Sequence, residues 1–332
     1  MNLGKLDSIL ANQPKYRIKQ VFQGVFGSLI DDWSAISNLP LDLRQDLAKQ
    51  CSLDVNATLN LTESQDSQKV LITLSDGSKI ESVLLRHADS RNTVCVSSQV
   101  GCPMGCRFCA TGKMGFKRNL SKFEIIEQVL FFARELKAEN QRVTNVVFMG
   151  MGEPLLNYDE VFGAIEILNS PDAFNIGARK ISISTCGIID GIKKITRQDL
   201  QINLAISLHA ADDELRSSLM PVNKQYSLTE LLAVVKAYLK KHSRKVMFEY
   251  LLIDGVNDRK IDAQRLAKIM KNKLFVVNLI PYNPTGEFQP SSHLAISNFK
   301  KVLISSGVNV TQRYTFGQDI GASCGQLATA GK

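Results

Sequence analysis

The segment SSQVGCPMGCRFCATG, residues 97–112, places three cysteines within eight positions of a glycine-rich stretch. Thiolates at this spacing, from Cys102, Cys106 and Cys109, can surround one small inorganic core. Three cysteines cannot complete the four-thiolate shell of an ordinary 4Fe–4S cluster, so one iron is left for another ligand. The amino and carboxylate groups of S-adenosylmethionine (SAM) can serve as that ligand. A reducible cluster bonded to this sulfonium compound can break one of its carbon–sulfur bonds homolytically.

A structural zinc site is the alternative for this triplet, with Cys95 as a fourth thiolate. Zinc knuckles usually pair their cysteines two and two, and the CxxxCxxC spacing is unusual for them. The chain has seven cysteines, an odd number, which argues against a secreted disulfide framework. We therefore expect an iron–sulfur cluster, and a zinc-binding RNA module without catalytic activity stays open as the alternative.

The composition suits one large α/β domain with a small appendage, since 44% of the 332 residues are hydrophobic and 22% are charged. The sequence contains no run of roughly 18 apolar residues and no signal-peptide pattern, so we expect a cytoplasmic protein without a membrane span. The formal charge is +8 and the pI is near 9.1. Such a balance indicates either a solvated basic surface or a polyanionic partner, of which nucleic acid is the main example.

The first 85 residues form a pattern of their own. Apolar residues at three- and four-residue spacing predict helices over 16–26 and 41–49. Period-two runs at 69–74 and 79–85 flank the turn Ser75-Asp76-Gly77-Ser78 and predict a β-hairpin. We interpret residues 1–85 as an accessory region that binds RNA, and residues 86–332 as the catalytic core.

The rest of the chain alternates short apolar runs with helical patterns. The runs are 93–97, 145–150, 180–185, 201–208, 246–252, 275–280 and 308–313, and they are typical of buried parallel strands. Two helical patterns begin with a capping box, at Ser121 and Ser227. Repeated βα units predict a parallel sheet, doubly wound or rolled into a full or partial barrel. In such sheets the chemistry collects at the carboxyl ends of the strands.

Residues suited to ligand contacts follow four of these predicted strands. Glycine at position 152 lets the backbone approach a ligand, and Glu153 can accept hydrogen bonds from an ammonium group. Each residue alone is equally well explained as a satisfied strand end, but together they predict one shared ligand. The candidate cofactor contacts are Gly152, Glu153, Ser184, Ser207, Leu208, His209 and Asn283.

The CxxxCxxC spacing resembles the signature of the radical SAM superfamily. The runs VCVSSQVGC (94–102), FMGMGEPLLN (148–157), SLHA (207–210) and ASCGQL (322–327) together resemble the RlmN/Cfr family of RNA adenine methyltransferases. This resemblance spans almost the whole chain. It implies a partial (β/α)6 TIM-like barrel, one 4Fe–4S cluster with three cysteine ligands, and two SAM molecules per turnover. It also implies that His209 binds the cofactor rather than acting as a base.

The resemblance gives roles to Cys95 and Cys324. Carbon 2 of adenine is electron-poor and its C–H bond is hardly acidic, so methylation there requires a radical. One SAM molecule methylates Cys324, a radical from the second removes hydrogen from this methyl group, and the carbon adds to adenine. Glu81 matches the family's proton acceptor, although its spacing to Cys95 is one residue longer than in carbon-2 relatives. Attack of Cys95 on the sulfur of Cys324 then releases methylated RNA and leaves a disulfide.

Two subclasses of this family compete. One methylates carbon 2 of an adenosine in 23S rRNA, and often of the adenosine 3′-adjacent to the tRNA anticodon; the chloramphenicol–florfenicol resistance type methylates carbon 8. The run Glu153-Pro154-Leu155-Leu156-Asn157 resembles the first type, because the resistance enzymes have Glu-Ala-Leu-Ala-Asn. The usual tail Asp-Ala-Ala-Cys is altered here at Gly321 and Ser323. We expect carbon 2, with carbon 8 as the alternative.

The expected partners are 23S rRNA, tRNA and a flavodoxin- or ferredoxin-like electron donor. Basic residues that follow the cysteine triplet or lie later in the core are candidates for phosphate contacts. They are Lys113, Lys117, Arg118, Lys193, Lys194, Arg197, Lys240, Lys241, Arg244 and Lys245. The target base would be extruded from the folded RNA into the mouth of the barrel.

Overall fold

The structure is a computed structural model that describes residues 3–61, 66–313, 317 and 320–328. Its strands are β1 (Ala57–Leu61), β2 (Ser67–Thr73), β3 (Lys79–Arg86), β4 (Asn92–Cys95), β5 (Gln99–Gly101), β6 (Phe116–Asn119), β7 (Asn145–Phe148), β8 (Ile181–Thr185), β9 (Asn203–Ser207), β10 (Val246–Leu252), β11 (Phe275–Pro281) and β12 (Val310–Gln312). Its α-helices are α1 (Leu6–Leu10), α2 (Lys15–Phe22), α3 (Leu41–Gln50), α4 (Ala110–Lys113), α5 (Lys122–Ala138), α6 (Tyr158–Asn169), α7 (Ile189–Arg197), α8 (Asp213–Leu219), α9 (Leu228–His242), α10 (Lys260–Ile269) and α11 (His293–Ser305).

Seven strands form the parallel part of one sheet, and they are the seven predicted from the sequence. Their order is β4-β7-β8-β9-β10-β11-β12, and each neighbouring pair is parallel. Chain order and sheet order agree, so successive helices cross between adjacent strands as in a barrel wall. The predicted α/β class and partial TIM-like barrel are confirmed.

The predicted hairpin continues this sheet instead of forming a separate one. β2 and β3 pair antiparallel, β3 pairs antiparallel with β4, and β1 pairs antiparallel with β2. The ten-stranded sheet therefore runs without a break from β1 to β12. The predicted helices of this region are present as α2, which continues into a π-helical turn at Gln23–Gly27, and α3. The division of the chain after residue 85 stays a prediction.

The helices pack their apolar faces on the sheet and are capped as predicted. Ser121 Oγ accepts a hydrogen bond from the Glu124 amide, and the Glu124 carboxylate accepts one from the Ser121 amide, at 3.3 and 2.8 Å. Ser227 and Glu230 form the same reciprocal pair at the start of α9. In the described part of the chain, no helix is both long and apolar enough to cross a membrane.

A small second sheet supports the cysteine triplet. β5 and β6 pair antiparallel on either side of the triplet, and the Cys102 amide donates to the Gly115 carbonyl at 2.8 Å. Gly101 has a φ of +75°, and a Cβ atom there would lie 1.9 Å from the Gly115 oxygen. Only glycine fits this close approach, so the turn that leads into the triplet depends on it.

Candidate active site

One cavity lies at the carboxyl ends of the parallel strands, where the sequence predicts it. With its open mouth included it encloses about 1170 Å³. Ten predicted site residues line it. They are Cys95, Cys102, Cys106, Cys109, Gly152, Glu153, Ser184, Ser207 and His209, joined by Cys324 from the C-terminal region.

The strand ends bring these side chains together. Cys95 is the last residue of β4, Ser207 is the last of β9, and Arg313 directly follows β12. Ser184 lies one residue before the end of β8. Because parallel strands end at the same edge of a sheet, residues from distant parts of the chain share one cavity.

The cysteine triplet lies on the loop between β5 and α4, and all three thiols line the cavity. Burial raises the pKa of Cys102 to about 12, and the neighbouring charge of Cys109 adds to the shift. Burial likewise raises the pKa of Cys106 well above its usual value, again with the help of Cys109. These thiols therefore lie near one another in a desolvated place, where thiolates require a positive partner.

Glu153 is both a helix cap and part of the cavity wall. Its Oε1 accepts from the Leu155 amide at 3.0 Å and its Oε2 from the Cys186 amide at 2.8 Å. Burial raises the pKa of Glu153, and the two amides only partly offset this effect. The side chains of Cys186 and Thr185 also hydrogen-bond this carboxylate. It lines the cavity, so an ammonium group there would meet a carboxylate acceptor.

Glu249, on β10, is a cavity residue that the sequence analysis missed. Its carboxylate accepts hydrogen bonds from Ser184 Oγ at 2.5 Å and from Ser207 Oγ at 3.3 Å. It therefore orients two of the predicted cofactor contacts. An acidic residue inside the otherwise apolar strand VMFEYLL was the available signal, because a buried carboxylate in a strand needs hydrogen-bond partners.

His209 is held as a neutral imidazole. Its Nδ1 accepts a hydrogen bond from the Leu251 amide at 3.0 Å, which leaves the ring proton on Nε2. Burial, helped by the charge of Arg216, lowers the pKa of His209 to about 3. Phe108 packs edge-on against the ring at 4.7 Å. With Nδ1 engaged and Nε2 protonated, the ring can donate a hydrogen bond but has no free nitrogen to accept a proton.

This assignment predicts a pH effect on stability. The pKa of His209 is about 3 in the folded chain and about 6.5 in an unfolded one. The unfolded state therefore binds the proton first as the pH falls, and stability is lost below about pH 6.5. In His209→Asn the side-chain oxygen can replace Nδ1. We expect the free energy of unfolding of this variant to fall by about 1 kcal/mol less than that of the parent when the pH is lowered from 7.5 to 5.5.

Anaerobic urea unfolding at the two pH values measures this difference. His87, whose pKa is also lowered by burial, is present in both proteins and cancels in the comparison. Equal losses in the two proteins would mean that His209 is protonated in the folded state.

Cys95 and Cys324 lie in the same part of the cavity as Arg313. Burial raises the pKa of Cys95 to about 12, and the charge of Cys324 adds to this shift. Burial also raises the pKa of Cys324, whereas Arg313 opposes the shift. Burial lowers the pKa of Arg313, but the charges of Cys324, Glu249 and Cys95 outweigh burial, so the pKa of Arg313 is raised overall. Arg313 is thus the cation that faces both thiols, and no pattern in the sequence pointed to it.

The segment that carries Cys324, residues 320–328, is held by backbone contacts. Asn283 Nδ2 donates to the Cys324 carbonyl at 3.2 Å, so this predicted residue reaches the site through the segment. The Ala110 amide donates to the Gly325 carbonyl at 2.8 Å, and Thr111 Oγ1 donates to the Leu327 carbonyl. Because Ala110 and Thr111 begin α4, the segment lies directly on the part of the chain that follows the cysteine triplet.

Three predicted site residues lie outside the lining of the cavity: Asn283, described above, Leu208 and Glu81. The Leu208 side chain is fully buried, and its amide donates to the Glu249 carbonyl at 3.0 Å. Glu81 lies on β3, on the same face as Val83 and Leu85, which line the cavity. It precedes Val83 by two residues and is not part of the lining. Its carboxylate binds Lys69 and the Ala328 amide. The roles of Leu208 and Glu81 stay predictions.

The basic candidates fall into two groups. Arg244 donates to Asn203 at 2.6 Å, and Asn203 begins the strand whose other end, Ser207, lines the cavity. This places the basic residues around the ends of α7 and α9 at the opposite end of the barrel. On the cavity side, Arg118 is bound to Asp76 and Glu124 at 2.8 Å each. The more weakly paired cations there are Lys113 and Lys117, whose nearest acidic oxygens lie at 3.7 and 3.9 Å.

Residues 96–266 match the model of the radical SAM superfamily. The barrel, the cysteine triplet and this match define the chain as a radical SAM enzyme. It is 46% identical over 317 residues to the "probable dual-specificity RNA methyltransferase RlmN" of Dictyoglomus thermophilum, covering 95% of this chain and 91% of that protein. The chain belongs to the RlmN family.

Two further comparisons agree. The "ribosomal RNA large subunit methyltransferase N" of Nitrosopumilus maritimus is 41% identical over 326 residues, covering 95% of this chain and 93% of that protein. The crystal structure of a radical SAM methyltransferase from Sphaerobacter thermophilus is 42% identical with a TM-score of 0.91, covering 98% of this chain and 97% of that one. The resemblance noted in the sequence is confirmed at the level of the family.

The superfamily uses a 4Fe–4S cluster and SAM, which are therefore the cofactors of this chain. The cavity offers three thiols to a metal core and the Glu153 carboxylate to an ammonium group. Among the described residues, no three His, Cys, Asp or Glu side chains converge closely enough to hold a single metal ion. Three cysteine thiols beside a carboxylate are the donor set that a cluster with one open iron and SAM would use.

Proposed function

We propose that this enzyme methylates carbon 2 of an adenosine in 23S rRNA, and of the adenosine 3′-adjacent to the anticodon in tRNA, through a methylated Cys324. The coarser activity is radical SAM methylation of RNA: the names of its relatives state the methylation of RNA, and the family model gives the radical SAM chemistry. One observation carries the proposal. Cys95 and Cys324 share a single cavity with the three thiols of the cysteine triplet.

That arrangement supports a carrier mechanism. When bound, the cluster and SAM supply a methyl group for one thiol and a 5′-deoxyadenosyl radical that abstracts hydrogen. Cys324 accepts the methyl group on sulfur and then loses one hydrogen atom from it. The resulting carbon radical on Cys324 adds to carbon 2 of the adenine. RNA is then joined to the protein through the sulfur of Cys324.

The two thiols supply the electrons for release of the product. The adduct gives up one electron, which the oxidised cluster, when bound, would take back, and the ring proton passes to a base, for which Glu81 is the candidate. Cys95 then attacks the sulfur of Cys324, the sulfur–carbon bond breaks, and its electron pair leaves with the carbon, which takes up a proton to become the methyl group. Both thiols are oxidised to one disulfide, and a two-electron reductant restores them.

The partners follow from this chemistry. The net charge of +8 favours an RNA substrate, with Lys113 and Lys117 on the cavity side as phosphate contacts. Radical formation requires a one-electron donor of the flavodoxin or ferredoxin class. We place the enzyme in the cytoplasm with its RNA substrates. We assign RNA binding also to residues 1–85, whose hairpin adjoins the cavity through β3.

Carbon 2 is favoured over carbon 8 by the run Glu153-Pro154-Leu155-Leu156-Asn157. Mass spectrometry of 23S rRNA and tRNA after anaerobic reaction locates the methyl group on the adenine ring and decides between the two. We expect 2-methyladenosine. Finding 8-methyladenosine would assign the enzyme to the other subclass, and unmodified RNA with an intact cluster would refute both.

Cys95→Ala is expected to trap the reaction halfway. Without the Cys95 thiol nothing attacks the sulfur of Cys324, so RNA stays covalently attached to the protein. We expect most of the enzyme to migrate as a protein–RNA adduct on a denaturing gel, with free methylated RNA reduced roughly 100-fold or more. Cys51→Ala, at a buried thiol of the N-terminal region, is the control and should release product normally. If Cys95→Ala also releases product at the parent rate, Cys95 has no part in the reaction.

A further inference from the structure

Lys69 and Glu81 form a buried ion pair in the accessory hairpin. The register of the hairpin places Lys69 opposite Val83 and Glu81 opposite Leu71, so the two side chains meet diagonally across β2 and β3. Lys69 Nζ lies 3.0 Å from Glu81 Oε1, and the two side chains are only 14% and 7% exposed. An exposed pair of this kind would contribute little. Removing one partner of a buried pair leaves an uncompensated charge, which is strongly destabilising.

Both members of the pair also bind the backbone of the segment 320–328. Glu81 Oε2 accepts a hydrogen bond from the Ala328 amide at 3.0 Å. Lys69 Nζ donates to the Gly321 carbonyl at 3.5 Å. Gly321 lies three residues before Cys324, and Ala328 lies four residues after it. One ion pair therefore holds the chain on both sides of the reactive thiol.

The same contacts separate Glu81 from the cavity. Val83 and Leu85, on the same face of β3, line the cavity, and so does Leu327. Ala328, next to Leu327, occupies one of the carboxylate oxygens of Glu81, while Lys69 occupies the other. In this arrangement the carboxylate is directed to the segment and to Lys69. An adenine in the cavity can reach the Glu81 carboxylate only after the segment 320–328 moves.

We propose that Lys69 is a positioning residue that acts through Glu81: the pair latches the segment 320–328 onto the accessory hairpin, and movement of that segment frees Glu81 to take the ring proton. The second half of this proposal rests on the proposed function. The first half concerns only the chain itself. In the proton step the hydrogen on carbon 2 leaves as a proton, its electron pair stays in the ring, and the Glu81 carboxylate becomes a carboxylic acid.

Hydrogen–deuterium exchange of the enzyme with its cluster and SAM bound, and without RNA, tests the latch. We expect Lys69→Met to raise exchange at the Ala328 amide at least tenfold while the amides of β2 and β3 stay protected. Lys69→Arg should restore protection because it keeps the charge. Lys79→Met, at an exposed lysine of the same hairpin, is the matched control and should behave like the parent. Unchanged exchange at Ala328 in Lys69→Met overturns the latch.

Glu81→Gln covers the case in which Lys69→Met unfolds the hairpin. The glutamine is the same size and keeps an oxygen for the Ala328 amide, but it lacks the charge that binds Lys69. Faster exchange over residues 321–328 with a protected hairpin supports the latch. Parent-like exchange in this variant overturns it, whatever Lys69→Met does.

A single-turnover experiment tests the link to the reaction. A carboxyl group buried without its cation is favoured in the neutral form, which cannot accept a proton. We expect Lys69→Met to load methyl onto Cys324 within twofold of the parent but to methylate RNA at least tenfold more slowly, with Lys69→Arg recovering the rate. Equal slowing of both steps overturns the positioning role. Failure of the parent itself to methylate RNA overturns the proposed function and leaves the exchange result intact.

Discussion

Replacing Cys324 with alanine should lower RNA methylation by roughly 10⁴-fold or more, as loss of a covalent catalyst usually does. Cys324 lies in the cavity with the cluster thiols and with Cys95. In the proposed reaction its sulfur carries the carbon atom that reaches the adenine, so no neighbouring group can replace it. The variant should keep its cluster and still cleave SAM slowly, because neither function uses this thiol. Liquid chromatography of 5′-deoxyadenosine and mass spectrometry of the RNA measure the two activities separately.

The control for this experiment is Cys51→Ala. Cys51 is also a free thiol, but it packs in the hydrophobic core of the N-terminal region. The Cys51→Ala variant should methylate RNA at the parent rate once any loss of folded protein is corrected for. A Cys324→Ala enzyme that still methylates RNA would refute the carrier mechanism and leave only direct transfer.

Alanine at Cys102, Cys106 or Cys109 should each remove the cluster. A 4Fe–4S cluster with three protein ligands has no spare thiolate, so we expect the iron content to fall from about four per chain to about a tenth of that or less. Loss of the cluster removes radical formation and therefore all RNA methylation. Iron and sulfide analysis after anaerobic reconstitution, together with the visible absorbance of the cluster, measures the effect.

Cys186 provides the matched control inside the same cavity. It is a buried thiol of the lining, and the charge of Cys106 contributes to the rise of its pKa, so it lies near the triplet. In Cys186→Ala the backbone amide that donates to Glu153 is retained. We expect a full complement of iron in this variant. Loss of iron there would show that the cluster has a fourth thiolate, whereas stoichiometric zinc in the parent protein would contradict the iron–sulfur assignment itself.

Much of the fold could be predicted from local pattern. The parallel strands β4 and β7 to β11 are short and largely buried, which gives them apolar patterns. The capping boxes at Ser121 and Ser227 mark helix starts through contacts three residues apart. The β5–β6 pair could not be predicted in this way. β5 is only three residues long, so it carries no periodic pattern.

The candidate site likewise contains residues that local pattern could predict and residues that it could not. Cysteines and motif residues at strand ends could be predicted, because the topology of a parallel sheet brings those ends together. Glu249 and Arg313 were missed since their importance comes from side chains that approach from other strands. The position of Glu81 depends on the path of residues 320–328, which are held by scattered backbone contacts that leave no periodic trace in the sequence.

The unbroken ten-stranded sheet has a consequence for attempts to divide the protein. β3 ends at Arg86, pairs with β4, and contributes Val83 and Leu85 to the wall of the cavity. A fragment that began at residue 86 would leave β4 as an open edge, with unpaired backbone groups ready to join another chain. Such a fragment would therefore tend to aggregate, and its cavity would lack one side. The N-terminal hairpin is a structural wall of the reaction chamber, so exchanging it between relatives would alter the shape of the site as well as any contact with substrate.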